Sequence, residues 1–206
     1  VLVLPQSSVN ITLLATDAMR GYDVAVGGVI YDLLGAPVGG AELLLELRDP
    51  AGAIWLTQPV MSDGNGIFTF TTQVPADVSA GNGSVFADYE GARFYLANHT
   101  SLPTSFRISG ASQFSGLNAS SDGEMLLRGH AVSFTGVLTD ELGNPLYGNV
   151  SAQLDMHDLS VESLGGGSYR ANGTVPEHYR LNHTLSFSWL GDEFHTGASG
   201  SLEVTV

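Results

Sequence analysis

Nine asparagines occur in this 206-residue chain. Seven of them head an Asn-x-Ser/Thr triplet whose middle residue is not proline: Asn10, Asn82, Asn98, Asn118, Asn149, Asn172 and Asn182. Ser and Thr together number 35, so chance would complete the triplet at only about 1.5 of the nine. The triplet is the acceptor for N-linked glycan, and its excess predicts a chain that carries sugars and is exported. The neighbours of these residues agree. Asn10 lies between Val9 and Ile11, Asn149 precedes Val150, Asn172 follows Ala171, and Asn182 is out of phase with Leu185, Phe187 and Trp189. Strand alternation therefore puts each of the four on an outer face.

Other residues that could do chemistry are sparse. The six histidines (His99, His130, His157, His178, His183 and His195) show no metal-type spacing such as H-x3-H and read as solvated surface. Asp155-Met156-His157-Asp158 brings metal-ligating types together, but strand alternation would point them in mixed directions. Asp63-Gly64-Asn65-Gly66 resembles the start of a calcium loop, yet the later bidentate Glu is missing, and a hairpin turn is expected. Asp32 and Asp140 each precede Leu-Gly-x-Pro or a close variant of it. They are expected to hold an Asx-type turn, with calcium between domains as the alternative. There is no G-x-S-x-G and no cysteine, so neither an enzyme nor a cofactor is expected.

Composition narrows the partners. The net charge is −14, with only 7 Lys plus Arg, which argues against nucleic acid and anionic membrane surfaces. No apolar run approaches the roughly 18 residues of a membrane span, so this segment is not expected to insert in a bilayer. The opening Val-Leu-Val-Leu-Pro lacks the charged start of a signal peptide. Charged residues are 14% of the chain, below the usual level of about 25%, and glycan would supply the missing surface polarity. The absence of cysteine in an exported sandwich suits a prokaryotic, here archaeal, surface.

The elements that position the triplets come from an internal repeat. Arg20-Gly21 through Gly40 recurs 108 residues on as Arg128-Gly129 through Gly148, with the shared pattern R-G-x-x-V-x-[VF]-x-G-V-[IL]-x-D-x-L-G-x-P-[VL]-x-G. Val74-Pro75 returns as Val175-Pro176, Asn82 as Asn182, and Phe94 as Phe194, so the second copy is about eight residues shorter, mainly around Asp49 to Ser62. Asn10 pairs with Asn118 at the first offset. Alternation predicts inward rows at Val24/Val26/Gly28/Ile30, Leu43/Leu45/Leu47, Phe68/Phe70 and Val85/Ala87/Tyr89. Their counterparts are Val132/Phe134/Gly136/Leu138, Val150/Ala152/Leu154/Met156, Tyr169/Ala171 and Leu185/Phe187/Trp189. Phe94 and Phe194 are expected in the core, Phe86 outward. About seven short strands per roughly 100 residues is the signature of a sandwich.

With this motif in both copies, the chain resembles the immunoglobulin-like, carboxypeptidase-regulatory-like tandem repeats of archaeal and bacterial surface proteins. The resemblance implies an all-β fold of two tandem immunoglobulin-like β-sandwich domains, and a role as stalk, spacer, S-layer piece or filament module. The domains are read as 1–108 and 109–206, with Ser109 to Gly116 as linker. Val1 to Leu4 read as a strand that closes a preceding module or is donated to a neighbour. The expected partners are copies of the chain or neighbouring Ig-like modules. The alternatives are an adhesin that binds carbohydrate or protein through loop residues such as Trp55, Tyr147 and Tyr179, and an accessory domain of a larger surface enzyme.

Overall fold

The computed structural model describes residues 7–92, 94–100, 102–120, 127–177 and 181–205. Val1 to Leu4 and Tyr179 lie outside the described residues. All regular structure among the described residues is β-strand, and the chain divides into two compact units, Val1–Ser109 and Gly110–Val206.

Unit 1 contains β1 (Val9–Ala15), β2 (Ala18–Met19), β3 (Asp23–Asp32), β4 (Glu42–Arg48), β5 (Ile54–Met61), β6 (Ile67–Gln73), β7 (Gly81–Tyr89), β8 (Asn98–His99) and β9 (Thr104–Ser109). One sheet runs β1-β3-β6 and the other β2-β9-β7-β4-β5, with β8 added beside β7. The inner faces meet in a core of Val24, Val26, Ile30, Leu43, Leu45, Leu47, Phe68, Val85, Ala87, Tyr89, Phe106 and Ile108. At about 25 cal/mol per Å² of buried apolar surface, this interleaving is the main stabilising term. Gly28 is required in its inward row, because a Cβ there would stand 2.2 Å from the Thr12 carbonyl oxygen and 2.5 Å from the Phe68 ring.

Unit 2 contains β10 (Ser112–Ser120), β11 (Ala131–Asp140), β12 (Val150–Leu154), β13 (His157–Asp158), β14 (Ser160–Gly165), β15 (Ser168–Thr174), β16 (Asn182–Gly191) and β17 (Thr196–Thr205). Its sheets run β10-β11-β15-β14 and β13-β12-β16-β17. This is the constant-type immunoglobulin arrangement, four strands facing three, with β13 as a two-residue addition.

The two units differ in the strand between the third and fifth positions. In unit 1, β5 stays beside β4, with Leu45 opposite Gln58. In unit 2, the chain turns at Asp155–Met156, pairs for two residues as β13, and crosses at Leu159 to join the other sheet as β14. The Leu159 side chain packs against the core, and the Leu159 N–H donates to the Ala152 carbonyl at 2.9 Å. Pairing equates Leu43 with Val150 and Phe68 with Tyr169, so six of the eight residues lost in the second copy come from this connection.

One turn recurs four times. Asp32, Asp49, Asp63 and Asp140 each begin Asp-x-x-Gly-x. The Asp N–H donates to the fifth residue's carbonyl at 2.8–2.9 Å, and the glycine N–H returns to the Asp carbonyl at 2.9–3.1 Å. The Asp Oδ1 accepts the fifth residue's N–H at 2.7–2.9 Å. The glycines have φ of +73 to +87°, the left-handed region in which a Cβ is strained.

Four expectations need correction. The Ser109–Gly116 linker is not one: Ser109 closes β9, and β10 starts at Ser112 with Phe114 and Leu117 packed on the unit 2 core. A bulge between Ser115 and Asn118 breaks its alternation, so the strand does not show in the sequence. Met156, expected inward, is 89% exposed at the tip of the β12–β13 turn, where it and Asp155 both have positive φ. Phe94 is 49% exposed, and Phe194 sits half-buried in the Asp192–His195 turn rather than in the core. Asn10 and Asn118 are not equivalent. Asn10 faces Tyr31, whose counterpart Thr139 faces Gln113, because the connection into β11 is longer than that into β3.

Candidate functional site

The seven triplet asparagines are the residues whose chemistry the sequence singles out. Asn10, Asn82, Asn118, Asn149, Asn172 and Asn182 are all exposed. Asn82 and Asn182 occupy equivalent places seven residues before Tyr89 and Trp189, facing Arg107 and Thr205 across the pair. Asn172 lies on the outer face of β15, with Nδ2 3.5 Å from Glu162 Oε1. Asn98 differs. It is half-buried in β8, its Nδ2 donates to the Val9 carbonyl at 2.6 Å, and the hydroxyl that completes its triplet, Thr100, is buried and accepts the Ala87 N–H at 2.9 Å. Asn10, Thr12, Asn98, His99, Thr100 and Thr104 line a shallow groove of about 440 Å³.

The acidic candidates are engaged by backbone. Asp32 Oδ1 accepts the Leu34 and Ala36 N–H groups, both at 2.9 Å. Asp140 Oδ1 accepts those of Leu142 at 3.0 Å and Asn144 at 2.7 Å, while its Oδ2 accepts Asn144 Nδ2 at 3.0 Å. Asp63 serves Asn65 and Ile67 in the same way. These are Asx-type turns. Among the described residues no three His, Asp or Glu side chains gather as a metal-ligand set.

Three histidines are tied to aspartates through Nδ1: His99 to Asp88, His195 to Asp192 at 2.9 Å, and His183 to Asp155 at 2.5 Å. His183 corrects the reading of the histidines as solvated. It is 1% exposed, on the inner face of β16. Its phase with Leu185, Phe187 and Trp189 was the available signal. The equivalent residue in unit 1 is Gly83, where a Cβ would come 2.8 Å from Phe106 and 3.0 Å from Ile108. His183 faces Val204 where Gly83 faces Phe106, so the two units fill the same space from opposite strands. Asp192 is subject to opposing influences: partial burial would raise its pKa, but the Phe194 N–H and the His195 ring and N–H hold the carboxyl below its ordinary 3.8. Burial, with a smaller contribution from Tyr95, raises the Tyr89 phenol.

The outward Phe86 is covered rather than free. Its ring stacks on His99 with centroids 5.9 Å apart, and the Arg48 guanidinium lies 4.7 Å from its centroid. Of the aromatics expected in loops, Trp55 lies instead in β5 and packs half-buried against the core, while Tyr147 is exposed.

No protein-family model and no curated protein matches the chain. Solved structures do. The Escherichia coli adhesin FdeC superposes with a TM-score of 0.56 at 14% identity, covering 96% of this chain and 63% of that one. The chain thus spans less than two thirds of the FdeC structure. The Yersinia pseudotuberculosis adhesin InvE matches at 0.43 and 15%, covering 95% and 58%, and a titin Ig tandem at 0.39 and 10%, covering 97% and 96%. At such identities the likeness is one of fold: an all-β pair of immunoglobulin-like sandwiches.

Proposed function

We propose that the chain is a structural, non-enzymatic module of an extracellular surface assembly, a filament, stalk or S-layer-type array, N-glycosylated at its Asn-x-Ser/Thr triplets. One observation carries this reading: six of the seven triplet asparagines stand exposed on two sandwiches. Glycans there would be in solvent and would supply polarity that a surface with few charges lacks. The same sugars would keep neighbouring sheet edges apart. Asp32 and Asp140 serve as turn residues in this reading, and calcium is not required.

The partners would be further copies or neighbouring modules of the same kind. Peptide mass mapping of native material tests the modification: triplet peptides found only at their bare polypeptide masses would remove it. Immunolabelling of native cells tests the location, and cytoplasmic label alone would end the surface reading. An adhesive role stands second, because the modules of FdeC carry this fold in a protein described as an adhesin. Specific binding on a glycan array would favour it.

A further inference from the structure

Among the described residues, unit 1 lacks a strand that unit 2 possesses. In unit 2, β14 covers the outer edge of β15, with Glu162 opposite Arg170 and Ser160 opposite Asn172. The matching edge in unit 1 belongs to β6, and no described strand covers it because β5 pairs with β4 instead. Pairing through the shared glycines, Gly28 with Phe68 and Gly136 with Tyr169, makes Thr69 the counterpart of Arg170 and Thr71 that of Asn172.

The backbone direction of β6 follows from its bonds to β3. The Ile30 N–H donates to the Gly66 carbonyl, and the Val74 N–H to that of Tyr22, both at 2.9 Å. Antiparallel pairing alternates, so Phe68, Phe70 and Thr72 turn their N–H and C=O groups to β3. Those of Thr69, Thr71 and Gln73 point away from it, and no other strand pairs with β6 among the described residues. A row of free donors and acceptors is a template for another strand.

The other outer strands, apart from the two-residue β2 and β13, carry a guard. β5 has Pro59, β10 a bulge and Asn118, β14 Glu162 and a bulge, β17 Glu203, and β1 the exposed triplet residue Asn10. The sequence of β6, Ile-Phe-Thr-Phe-Thr-Thr-Gln, has no charge, proline, bulge or triplet. It is composed of strongly β-forming residues.

We propose that the β6 edge of unit 1 is an interface on which a second copy of this chain pairs its own β6, antiparallel about a two-fold axis through Phe70. In that register Thr69 lies opposite Thr71 of the other copy and Thr71 opposite Thr69, so the outward backbone groups meet as bonded pairs. Two three-stranded sheets become one of six. The occupant is a second copy because the two edge-facing residues that flank Phe70, Thr69 and Thr71, are identical and so match themselves across a two-fold axis, and because the edge is uncharged. Each copy carries −14 overall, so like-charged surfaces elsewhere oppose contact while this edge does not. This contact supplies a partner for the assembly proposed above and rests on that reading for its setting.

Sedimentation velocity of the full chain over a concentration series tests it, separately from glycosylation and location. The wild type should dimerise, and more tightly as salt rises. Thr71→Pro removes a donor that faces solvent in the monomer, where an edge strand tolerates proline. It should leave the melting curve in place and weaken dimerisation at least about tenfold. Should T71P misfold, the exposed pair T69D/T71D replaces it. In the proposed register that variant and T69R/T71R should each be monomeric, and a 1:1 mixture should dimerise, because the charges lie opposite one another. A wild type monomeric at every concentration overturns the proposal. So does a dimer unchanged by T71P or by T69D/T71D, failure of the mixture to dimerise, or a dimer lost on deleting residues 1–6, which would make that segment the occupant.

Discussion

His183 and Asp155 form a closed pair: the ring nitrogen Nδ1 sits 2.5 Å from Asp155 Oδ2, while Oδ1 of the same carboxylate accepts the Thr184 N–H at 2.8 Å. One side chain therefore fixes a buried imidazole and the next residue's backbone, and it does so from a turn with φ of +48°. Asp155→Ala should destabilise unit 2 by about 2–4 kcal/mol, from the stranded polar group and the strained alanine. His183→Phe, which needs no partner, should cost less. Urea unfolding with β-sheet circular dichroism measures both.

Asp192 gives a pH dependence with a definite sign. Its folded-state pKa lies below the ordinary 3.8, so the ionised form is favoured by folding. That contribution is complete above the ordinary value and is lost as pH falls through the lower folded value. Asp192→Asn should flatten this part of the acid limb of unit 2 stability while leaving the neutral region little changed. Melting temperatures recorded from pH 6 down to about pH 2 would show it.

The triplets should not behave alike. Glycopeptide mapping of native material is expected to find sugar at Asn10, Asn82, Asn118, Asn149, Asn172 and Asn182 and little at Asn98, whose amide is bonded to the Val9 carbonyl. Without glycan, N98Q should cost about 1 kcal/mol through that lost bond. Changes at the six exposed positions should stay within about 0.5 kcal/mol.

The turn aspartates should act without metal. Asp32→Ala and Asp140→Ala each remove an acceptor for two N–H groups and should cost about 1–2 kcal/mol. Thermal melts with calcium or with a chelator should coincide for the wild type. A calcium-dependent rise lost in D140A would put a metal where Asn144 Nδ2 now donates.

Much of the fold could be read from alternation. Leu43, Leu45 and Leu47 are all buried, as are Val132, Phe134 and Leu138, because a period of two leaves one face of a strand no other place to go. Alternation cannot say which strand is a neighbour. The different pairing of β5 and β14 is decided by a two-residue turn at Asp155–Met156 and a crossing at Leu159, neither of which has a periodic signature. The triplets were legible as a motif, but the distinct state of Asn98 was not, since its partner Val9 lies 89 residues away. His183 shows the opposite failure: its phase marked it as inward, and its polarity suggested otherwise.

The parallel pair in unit 1 has a mechanical consequence. β2 and β9 run side by side in the same direction, with Ala18 opposite Ile108 and Met19 opposite Ser109, and the Arg20 N–H donates to the Ser109 carbonyl at 2.9 Å. β9 is the strand by which the chain leaves the unit, and β2 is the second strand along the chain, reached once β1 has been passed. Tension applied along the chain draws these two strands past each other in opposite senses. Their bonds then carry the load together, in shear, instead of opening one after another as in a hairpin pulled from its open end. A module built this way resists extension by the joint strength of a short patch, and single-molecule pulling should show one abrupt rupture for unit 1, at a force lowered when Arg20 is replaced by proline.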